Sequence, residues 1–342
     1  MPSARETSLR SVAAIIADYR QGEIPPPDAE HVGRWLAQFD PEDQPVLLSE
    51  LELLLPRLYL SRVRCKSLLH AFLERLIDGR DPEAALRHVQ FLRLQTRGGS
   101  QAALVELVEE VLREEFGFDA AGRGAAEPHT FLYLDDAIYT GNRLRYDLMA
   151  AAGRDAGAWI ETAPPGSGLI LYTLVTHLDG WRYAWGHLER AAYRRDVHVS
   201  AFHGLALDNA RVRGGLVQCL WPERGHRDPF VDEYVSRLVT ARGGEPWFLF
   251  REPGTPPFET LFSSPSGRRI VERALLRAGA FLHLNCAVAP HQRPLGYEVL
   301  ESLGFGSLFV TYRNIANNCP LALWWSRNPD VWYPLFPRRV NP

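Results

Sequence analysis

The stretch 131–144, FLYLDDAIYTGNRL, decides the fold class. It begins with an apolar run of strand length that ends at two adjacent acids, Asp135 and Asp136. Thr140-Gly141-Asn142 follows, a turn of small residues that leads into a helical pattern. A buried strand, a small-residue turn and a helix in this order are typical of a parallel sheet covered by helices.

The segments around this stretch repeat the alternation of strand and helix. Strands are predicted at HVQFLRLQ (88–95), GLILYTLVTHL (168–178), DVHVSAFHGLA (196–206), FLHLNCAV (281–288) and SLFVTYRN (307–314). Helices are predicted at QAALVELVEEVLREEFG (101–117), RLRYDLMAAAG (143–153) and GWRYAWGHLERAAYRR (180–195). The short connections favour an α/β domain over residues 86–342, with a mostly parallel sheet and helices on both faces. The aromatic tail at 317–339 is predicted to extend this domain and to pack over the sheet.

Residues 1–82 differ from the rest and are predicted to form a helical N-terminal domain. Apolar residues recur at helical spacing in SLRSVAAIIADYR (8–20) and SRVRCKSLLHAFLERLI (61–77). A winged-helix DNA-binding module is one alternative here, because Arg57, Arg62, Arg64 and Lys66 form a short basic stretch. A solvated helix face explains the same charges without any partner.

The composition limits the classes of protein that fit. The net charge of −3 and the pI of about 6.4 give no support for nucleic-acid binding by bulk electrostatics. The four cysteines are far apart and form no CxxC pair, which argues against structural zinc and for reduced thiols. No apolar run has the length of a signal peptide core or a membrane helix. We therefore expect a cytoplasmic protein without a membrane partner.

The chemistry of the first stretch suggests a ligand. A small-residue turn before a helix exposes backbone N–H groups at the positive end of the helix dipole, which suits a phosphate group. Two carboxylates just upstream would repel that phosphate but can accept hydrogen bonds from neutral hydroxyls a few ångströms away. A phosphate at one end and vicinal hydroxyls at the other describe a ribose 5-phosphate. A capped turn with solvated acids remains the structural alternative.

The stretch resembles the 5-phosphoribosyl-1-pyrophosphate (PRPP) motif of type I phosphoribosyltransferases, which have a Rossmann-like α/β fold. The resemblance implies that Asp135 and Asp136 hold the ribose hydroxyls and take part in catalysis. It assigns the 5-phosphate to the residues of the turn: Ala137, Ile138, Tyr139, Thr140, Gly141, Asn142 and Arg143. The segment QFLRLQTRGGSQAALVELVEEV (90–111) resembles the pyrophosphate loop of the family, which implies that Arg97, Gly98 and Gly99 face the pyrophosphate and that Mg²⁺ bridges it to the ribose.

The chain departs from that family in two places. Asn142 and Arg143 stand where the family usually has Gly and Thr, and the bulk of Arg143 narrows the turn while its charge suits a phosphate. The segment between Gly99 and Leu134 is short for a mobile catalytic loop, and the hood that reads the base is not apparent. These departures weaken the expectation of catalytic turnover more than the expectation of ligand binding.

A narrower resemblance is to phosphoribosyltransferase-like proteins of bacterial conflict, or anti-phage, systems. It depends on the DD…TGN loop, on LGFGSLFVTYRNIANNCPLALWW (303–325) and on WYPLFPRR (332–339). It implies an effector that acts on PRPP or nucleotides, with a defence-system protein as a candidate partner and a homodimer as a candidate assembly. A sensor that binds the ligand without turnover, and a structural subunit that binds none, are the alternatives. His177 and Asp179 also follow a strand and are further candidates to line the site.

Overall fold

The computed structural model describes residues 2–95, 99–120, 127–149, 159–211, 216–225, 227–246, 248–289 and 291–339. These residues form twelve helices and seven strands. The helices are α1 (Ala4–Ile15), α2 (Ala29–Leu36), α3 (Gln44–Leu58), α4 (Arg62–Ile77), α5 (Pro82–Leu86), α6 (Ser100–Phe116), α7 (Asn142–Leu148), α8 (Trp159–Thr162), α9 (Leu178–Arg194), α10 (Pro229–Arg242), α11 (Pro265–Asn285) and α12 (Leu321–Trp324). The strands are β1 (Tyr59–Leu60), β2 (Val89–Phe91), β3 (Thr130–Ile138), β4 (Gly168–His177), β5 (His198–Leu207), β6 (Val310–Thr311) and β7 (Asn314–Ile315).

The main sheet has four strands in the order β2-β3-β4-β5, and every pair is parallel. Thr130 pairs with Gly168, and Gly168 pairs with His198, so the three long strands start level with each other. Each strand is followed by a helix that returns the chain to the start of the next, the connection that parallel strands require. The predicted α/β fold with a mostly parallel sheet is confirmed.

Apolar side chains on the sheet and its helices form one core. Tyr133 of β3 and Leu171 of β4 pack in a cluster with Leu148 of α7 and Leu188 of α9, and all four are almost completely buried. In β4 nearly every residue is buried, as expected for a central strand with helices on both faces. The cluster extends from Phe131 and Leu169, near the starts of β3 and β4, to Ile138 at the end of β3, and it packs α7 and α9 against these strands.

The chain forms two compact units, of which residues 63–207 contain the four-stranded sheet; we call this the sheet unit. Almost all of α4 belongs to it, because the Phe72 ring stacks on Tyr172 at 4.2 Å and the Tyr172 hydroxyl donates to the Leu68 carbonyl at 3.0 Å. The division therefore falls at a different place from the predicted boundary at 82–86. Compactness does not measure independent folding, so a helical domain at 1–82 stays a prediction.

The second unit combines residues 1–62 with 208–342. Its aromatic tail packs on the N-terminal helices: the indole N–H groups of Trp35 and Trp332 both donate to the Ala322 carbonyl, at 2.9 and 2.8 Å. The Tyr19 hydroxyl donates to the Pro337 carbonyl at 3.1 Å. Buried Trp and Tyr side chains need such partners for their polar atoms. A small sheet of β1, β6 and β7 also lies in this unit.

Of two strands predicted in the second unit, one is wrong and the other is much shorter than predicted. FLHLNCAV (281–288) mostly continues α11, which begins after the N-cap Ser264 and runs to Asn285. A short apolar run does not distinguish a buried strand from a buried helix, and here the helical face that contains Ala278 and Leu282 decides. SLFVTYRN (307–314) contributes only the two residues of β6 and the first of β7.

None of the described helices, including the long α11, is long and apolar enough to cross a membrane.

Candidate functional site

The two predicted ligand loops lie at the same edge of the sheet. They follow the neighbouring parallel strands β2 and β3, whose C-terminal ends point the same way. Gly99 precedes α6 and Gly141 precedes α7, and both adopt the left-handed conformation that glycine tolerates best, with φ of 63° and 77°. The two loops are connected, because the Gln95 Nε2 donates to the Asp135 Oδ2 at 3.2 Å. Arg97 and Gly98 lie outside the described residues.

The paired acids lie within β3 and not beyond its end, because the strand continues to Ile138, which pairs with Thr176. Successive residues of a strand point to opposite faces of the sheet. Asp135 is therefore buried on one face, while Asp136 is half-buried on the other. The two carboxylates therefore point to different faces of the sheet, and β3 ends beyond them because it stays paired with β4 up to Ile138.

Asp135 is held by neutral donors. Its Oδ2 accepts from the Tyr133 hydroxyl and from the Gln95 Nε2, both at 3.2 Å, and its Oδ1 accepts from the Asp136 amide at 2.9 Å. The Gln95 Nε2 also donates to the Asp147 Oδ2 at 3.1 Å, and the Tyr133 hydroxyl, which has a single proton to donate, lies closer to that oxygen, at 2.7 Å. Two carboxylates thus share two donors at the edge of the sheet.

Sequence reasoning did not find Tyr133, Gln95 or Asp147 as part of this site. Tyr133 had a signal, since it lies two residues before Asp135 and therefore faces the same side of the strand. Asp147 lies in the last turn of α7, and Gln95 follows a different strand. Nothing in their local sequence points to Asp135.

Burial raises the pKa of Asp135 to about 7, and the negative charges of Asp136 and Asp147 add to this effect. The positive charge of Arg143 and the hydrogen bond from the Asp136 amide oppose it. A carboxyl group with a pKa near neutrality can give up or accept a proton at pH 7, which is what a general acid or base must do. Strongly perturbed carboxyl groups concentrate at functional sites.

The turn after β3 is packed against the first turn of α9 through two glycines. A Cβ on Gly141 would lie 2.2 Å from the Gly180 carbonyl oxygen, and a Cβ on Gly180 would lie 1.7 Å from the Tyr139 carbonyl oxygen. Neither contact is possible for a real side chain, so both positions require glycine for close backbone approach. Gly180 was not predicted as part of the site, although its place just after β4 and His177-Leu178-Asp179 was a signal.

His177 contacts the residues at the start of the turn. It is fully buried, its Nδ1 lies 3.1 Å from the Ile138 carbonyl oxygen, and its ring stacks on Tyr139 at 5.0 Å. The carbonyl can only accept, so Nδ1 carries the proton. Burial lowers the pKa of His177 to about 4, which keeps the ring neutral at pH 7. His177 therefore contacts the back of the turn instead of lining an open site.

The outer side of the turn carries polar groups. Asn142 is half-buried and Arg143 is exposed at the start of α7. The Asn142 amide lies 3.5 Å from the Thr140 Oγ1, the upper limit for a hydrogen bond. Arg143 is near enough to Asp135 to lower its pKa, so it adds positive charge beside the acids. The turn thus combines a helix N-terminus, hydroxyl and amide groups, and a cation.

A protein-family model, PRTase-CE, matches residues 32–338. The chain belongs to the PRTase-CE family. This is a phosphoribosyltransferase-like family, so the resemblance drawn from FLYLDDAIYTGNRL is confirmed at the level of a phosphoribosyltransferase-like protein. Searches of curated proteins and of solved structures gave no match.

The PRTase-CE match spans more than the sheet unit. It starts within α2 and ends in the aromatic tail, so it includes residues of both compact units. The helices at the N-terminus are therefore partly inside the PRTase-CE match and not wholly an addition to it. The region 131–144, with its acids and turn, lies well inside the matched range.

Proposed function

We propose that this PRTase-CE protein binds PRPP or a nucleotide at the C-terminal edge of β2, β3 and β4. The single observation that carries the proposal is the turn Tyr139–Asn142, which two glycines hold against α9 directly after the acids of β3. The first N–H groups of a helix lack partners inside the helix and carry its positive dipole, and α7 offers them beside the turn. The exposed guanidinium of Arg143 adds charge for a 5-phosphate.

The ribose hydroxyls would be bound by the acids of β3 in unequal ways. Asp136 is half-buried and is the more accessible acceptor, whereas Asp135 has a 5% exposed side chain with its oxygens already engaged. A hydroxyl that reaches Asp135 has to replace a hydrogen bond donated by Gln95 or Tyr133. We therefore assign the first ribose contact to Asp136 and a secondary one to Asp135.

Mg²⁺ fits this proposal as an ion that arrives with the ligand. No three His, Cys, Asp or Glu side chains among the described residues are placed to hold a metal ion. Protein-bound Mg²⁺ commonly uses one or two carboxylates and takes its other oxygens from substrate phosphates and water. Asp136 would supply such a carboxylate, and Arg97, Gly98 and Gly99 remain the proposed pyrophosphate contacts by resemblance.

As an enzyme, the protein would transfer a pentosyl group. An acceptor atom bonds to ribose C1 while the bond from C1 to the pyrophosphate oxygen breaks, and pyrophosphate leaves with that electron pair. Orientation of the sugar, exclusion of water and positive charge near the leaving group would supply most of the rate enhancement. The narrower resemblance further suggests that the protein is an effector in bacterial defence and that it acts on nucleotides.

Binding without turnover is the second candidate function. The burial of Asp135 favours it, because an acid that is bonded to Gln95, Tyr133 and its own neighbouring amide is not preformed for a ligand. A ligand that rearranges this network would change the protein, which is the property of a sensor. The partner that such a sensor would regulate is a protein or DNA.

Calorimetric titration of PRPP with Mg²⁺ tests the proposal. We expect wild type to bind and Asp136→Asn to bind about 10-fold to 100-fold more weakly, since a hydrogen bond to a charged group is worth roughly 1.5–3 kcal/mol. Asp119→Asn, an exposed acid elsewhere in the sheet unit, is the matched control and should bind like wild type.

The same samples separate the two candidate functions. Release of pyrophosphate from PRPP in the presence of nucleobases or nucleosides identifies an enzyme, whereas unchanged PRPP after binding identifies a sensor. If folded wild type gives no heat with PRPP or with nucleoside monophosphates, the ribose-phosphate site is refuted. The stretch FLYLDDAIYTGNRL is then a capped turn in an interaction protein.

A further inference from the structure

The side-chain amide of Gln95 bonds to several groups at the edge of the site. Its Nε2 donates to the Oδ2 atoms of Asp135 and Asp147, at 3.2 and 3.1 Å, and lies 3.4 Å from the Tyr133 hydroxyl. Its Oε1 accepts from the Ser100 hydroxyl at 3.1 Å. One side chain therefore connects β3, α7 and the first residue of α6.

A second glutamine fixes the backbone from which Gln95 extends. Gln101 is 1% exposed, and its Oε1 accepts from the amides of Leu94 and Gln95 at 2.6 and 3.1 Å. Its Nε2 donates to the Leu134 carbonyl at 3.1 Å. The start of the segment 95–100 is thereby attached to β3 one residue before Asp135, so the reach of the Gln95 side chain is set by buried contacts.

An amide suits this position because of the charges around it. Asp135 and Asp147 face it directly, Tyr133 donates beside it, and Asp136 and Arg143 lie near enough to affect Asp135. A neutral donor can bond to two carboxylates at once without fixing either in an ion pair. An arginine or lysine there would compete with a bound cation, and a carboxylate would repel both acids.

We propose that Gln95 is a positioning residue that couples Ser100, at the start of α6, to the Asp135–Asp147 pair and holds the two carboxylates in the orientation that a ligand meets. This inference rests on the proposed ribose-phosphate function. It assigns Gln95 and Asp147 roles that the motif of β3 does not contain.

Gln95→Leu removes the donor at nearly constant side-chain size, and Gln90→Leu is the control because Gln90 is exposed on β2. We expect Gln95→Leu to bind PRPP with Mg²⁺ about tenfold more weakly or worse, as the loss of a hydrogen bond to a charged group predicts, and Gln90→Leu to bind like wild type. Equal affinities for Gln95→Leu and wild type would overturn the coupling.

Gln95→Glu separates positioning from a general effect on the fold. A protonated Glu keeps an acceptor for Ser100 and a donor for the two acids, whereas an ionised Glu adds a third negative charge. The affinity of Gln95→Glu relative to wild type should therefore recover as the pH falls from 8 to 5.5. A ratio that is the same at both pH values contradicts the proposal.

Hydrogen exchange without ligand keeps the inference testable if wild type does not bind PRPP. Such a result would defeat the proposed function, but the coupling between Gln95 and Asp135 would remain measurable. We expect amides of Leu94, Gln95 and Asp136 to exchange several-fold faster in Gln95→Leu than in Gln90→Leu, since a lost buried hydrogen bond lowers local stability. Unchanged exchange at these amides would refute the coupling by itself.

Discussion

The two compact units bury charged groups in opposite ways. In the second unit, Arg268 is 1% exposed and forms ion pairs with Glu259 and Glu272, and Arg251 pairs with Glu272 at 2.9 Å. In the sheet unit, no Lys, Arg or His of the described residues forms an ion pair with Asp135 or Asp147, and neutral donors hold both.

The pKa shifts of Glu259 and Asp135 reflect this difference, whereas burial raises the pKa of Glu272 even though Arg268 and Arg251 oppose it. Burial would raise the pKa of Glu259, but hydrogen bonds from Arg268 and from the amides of Phe262 and Leu261 outweigh it, so the pKa is lowered. For Asp135, burial and neighbouring acids act together and raise the pKa to about 7. A buried network in which each carboxylate has an arginine partner serves the structure, whereas a buried acid with a strongly raised pKa is a candidate for a functional role.

The strongest test of the comparison breaks the network of the second unit. Arg268→Met should lower the free energy of unfolding by about 3–5 kcal/mol, because it leaves Glu259 buried without its ion-pair partner and leaves Glu272 with Arg251 alone. Denaturant unfolding of Arg268→Met against Arg237→Met measures this. Arg237 pairs with Glu233 at an exposed site, so its loss should cost less than about 0.5 kcal/mol.

A destabilisation of Arg268→Met that is no larger than that of Arg237→Met would mean that the buried network is not needed for folding. Calorimetry with PRPP on Arg268→Met, at a temperature where it stays folded, sharpens the comparison. We expect its affinity to match that of wild type, because none of the proposed ligand contacts lies in the network.

The next test concerns the turn of the sheet unit. Gly141→Ala should cost roughly 2–3 kcal/mol and abolish measurable PRPP binding, because the new Cβ would lie 2.2 Å from the Gly180 carbonyl oxygen. Gly166→Ala is the matched control: Gly166 has the same φ of 77°, but a Cβ there would meet no atom within 4 Å. It should cost about 1 kcal/mol from backbone strain and leave binding intact. Similar losses in the two variants would show that conformation and not close packing requires glycine at the turn.

The smallest expected effect depends on pH. Asp135 binds its proton more tightly in the folded state, with a pKa of about 7, than its usual value of 3.8. Folding stability from this group is therefore highest below pH 4 and falls as the pH rises to about 7. Asp135→Asn should remove that loss, so its unfolding free energy relative to wild type should increase by on the order of 2 kcal/mol between pH 4.5 and pH 8.

In the second unit, Glu259→Gln should change stability with pH in the opposite direction. Its lowered pKa gives stability that is present above the usual carboxyl pKa of 4.5 and is lost as the pH falls below it. Glu259→Gln should therefore be more destabilised, relative to wild type, at pH 8 than at pH 4. If both variants shift in the same direction with pH, the proposed contrast between the units fails.

The local sequence pattern predicted the four-stranded sheet, but it did not predict the hydrogen-bond network around Asp135 at the edge of that sheet. The alternation of strands and helices over residues 88–206 predicted β2, β3, β4 and β5 with α6, α7 and α9, because each has a clear period and a turn of small residues. The turn at Gly141 was found in the same way. Its ligand, like the roles of Asp135, Asp136 and Arg97, stays a proposal.

The sequence alone therefore determined the parallel α/β fold, the position of the β3 turn and the phosphoribosyltransferase-like family, because these depend on residues that are adjacent in the chain. The tertiary structure decided that Asp135 and Asp136 face apart, that FLHLNCAV lies mostly in a helix, and that Asp147 shares the donors Gln95 and Tyr133 with Asp135. Burial and hydrogen bonding between residues far apart in sequence fix these features, so they cannot be predicted from local sequence pattern.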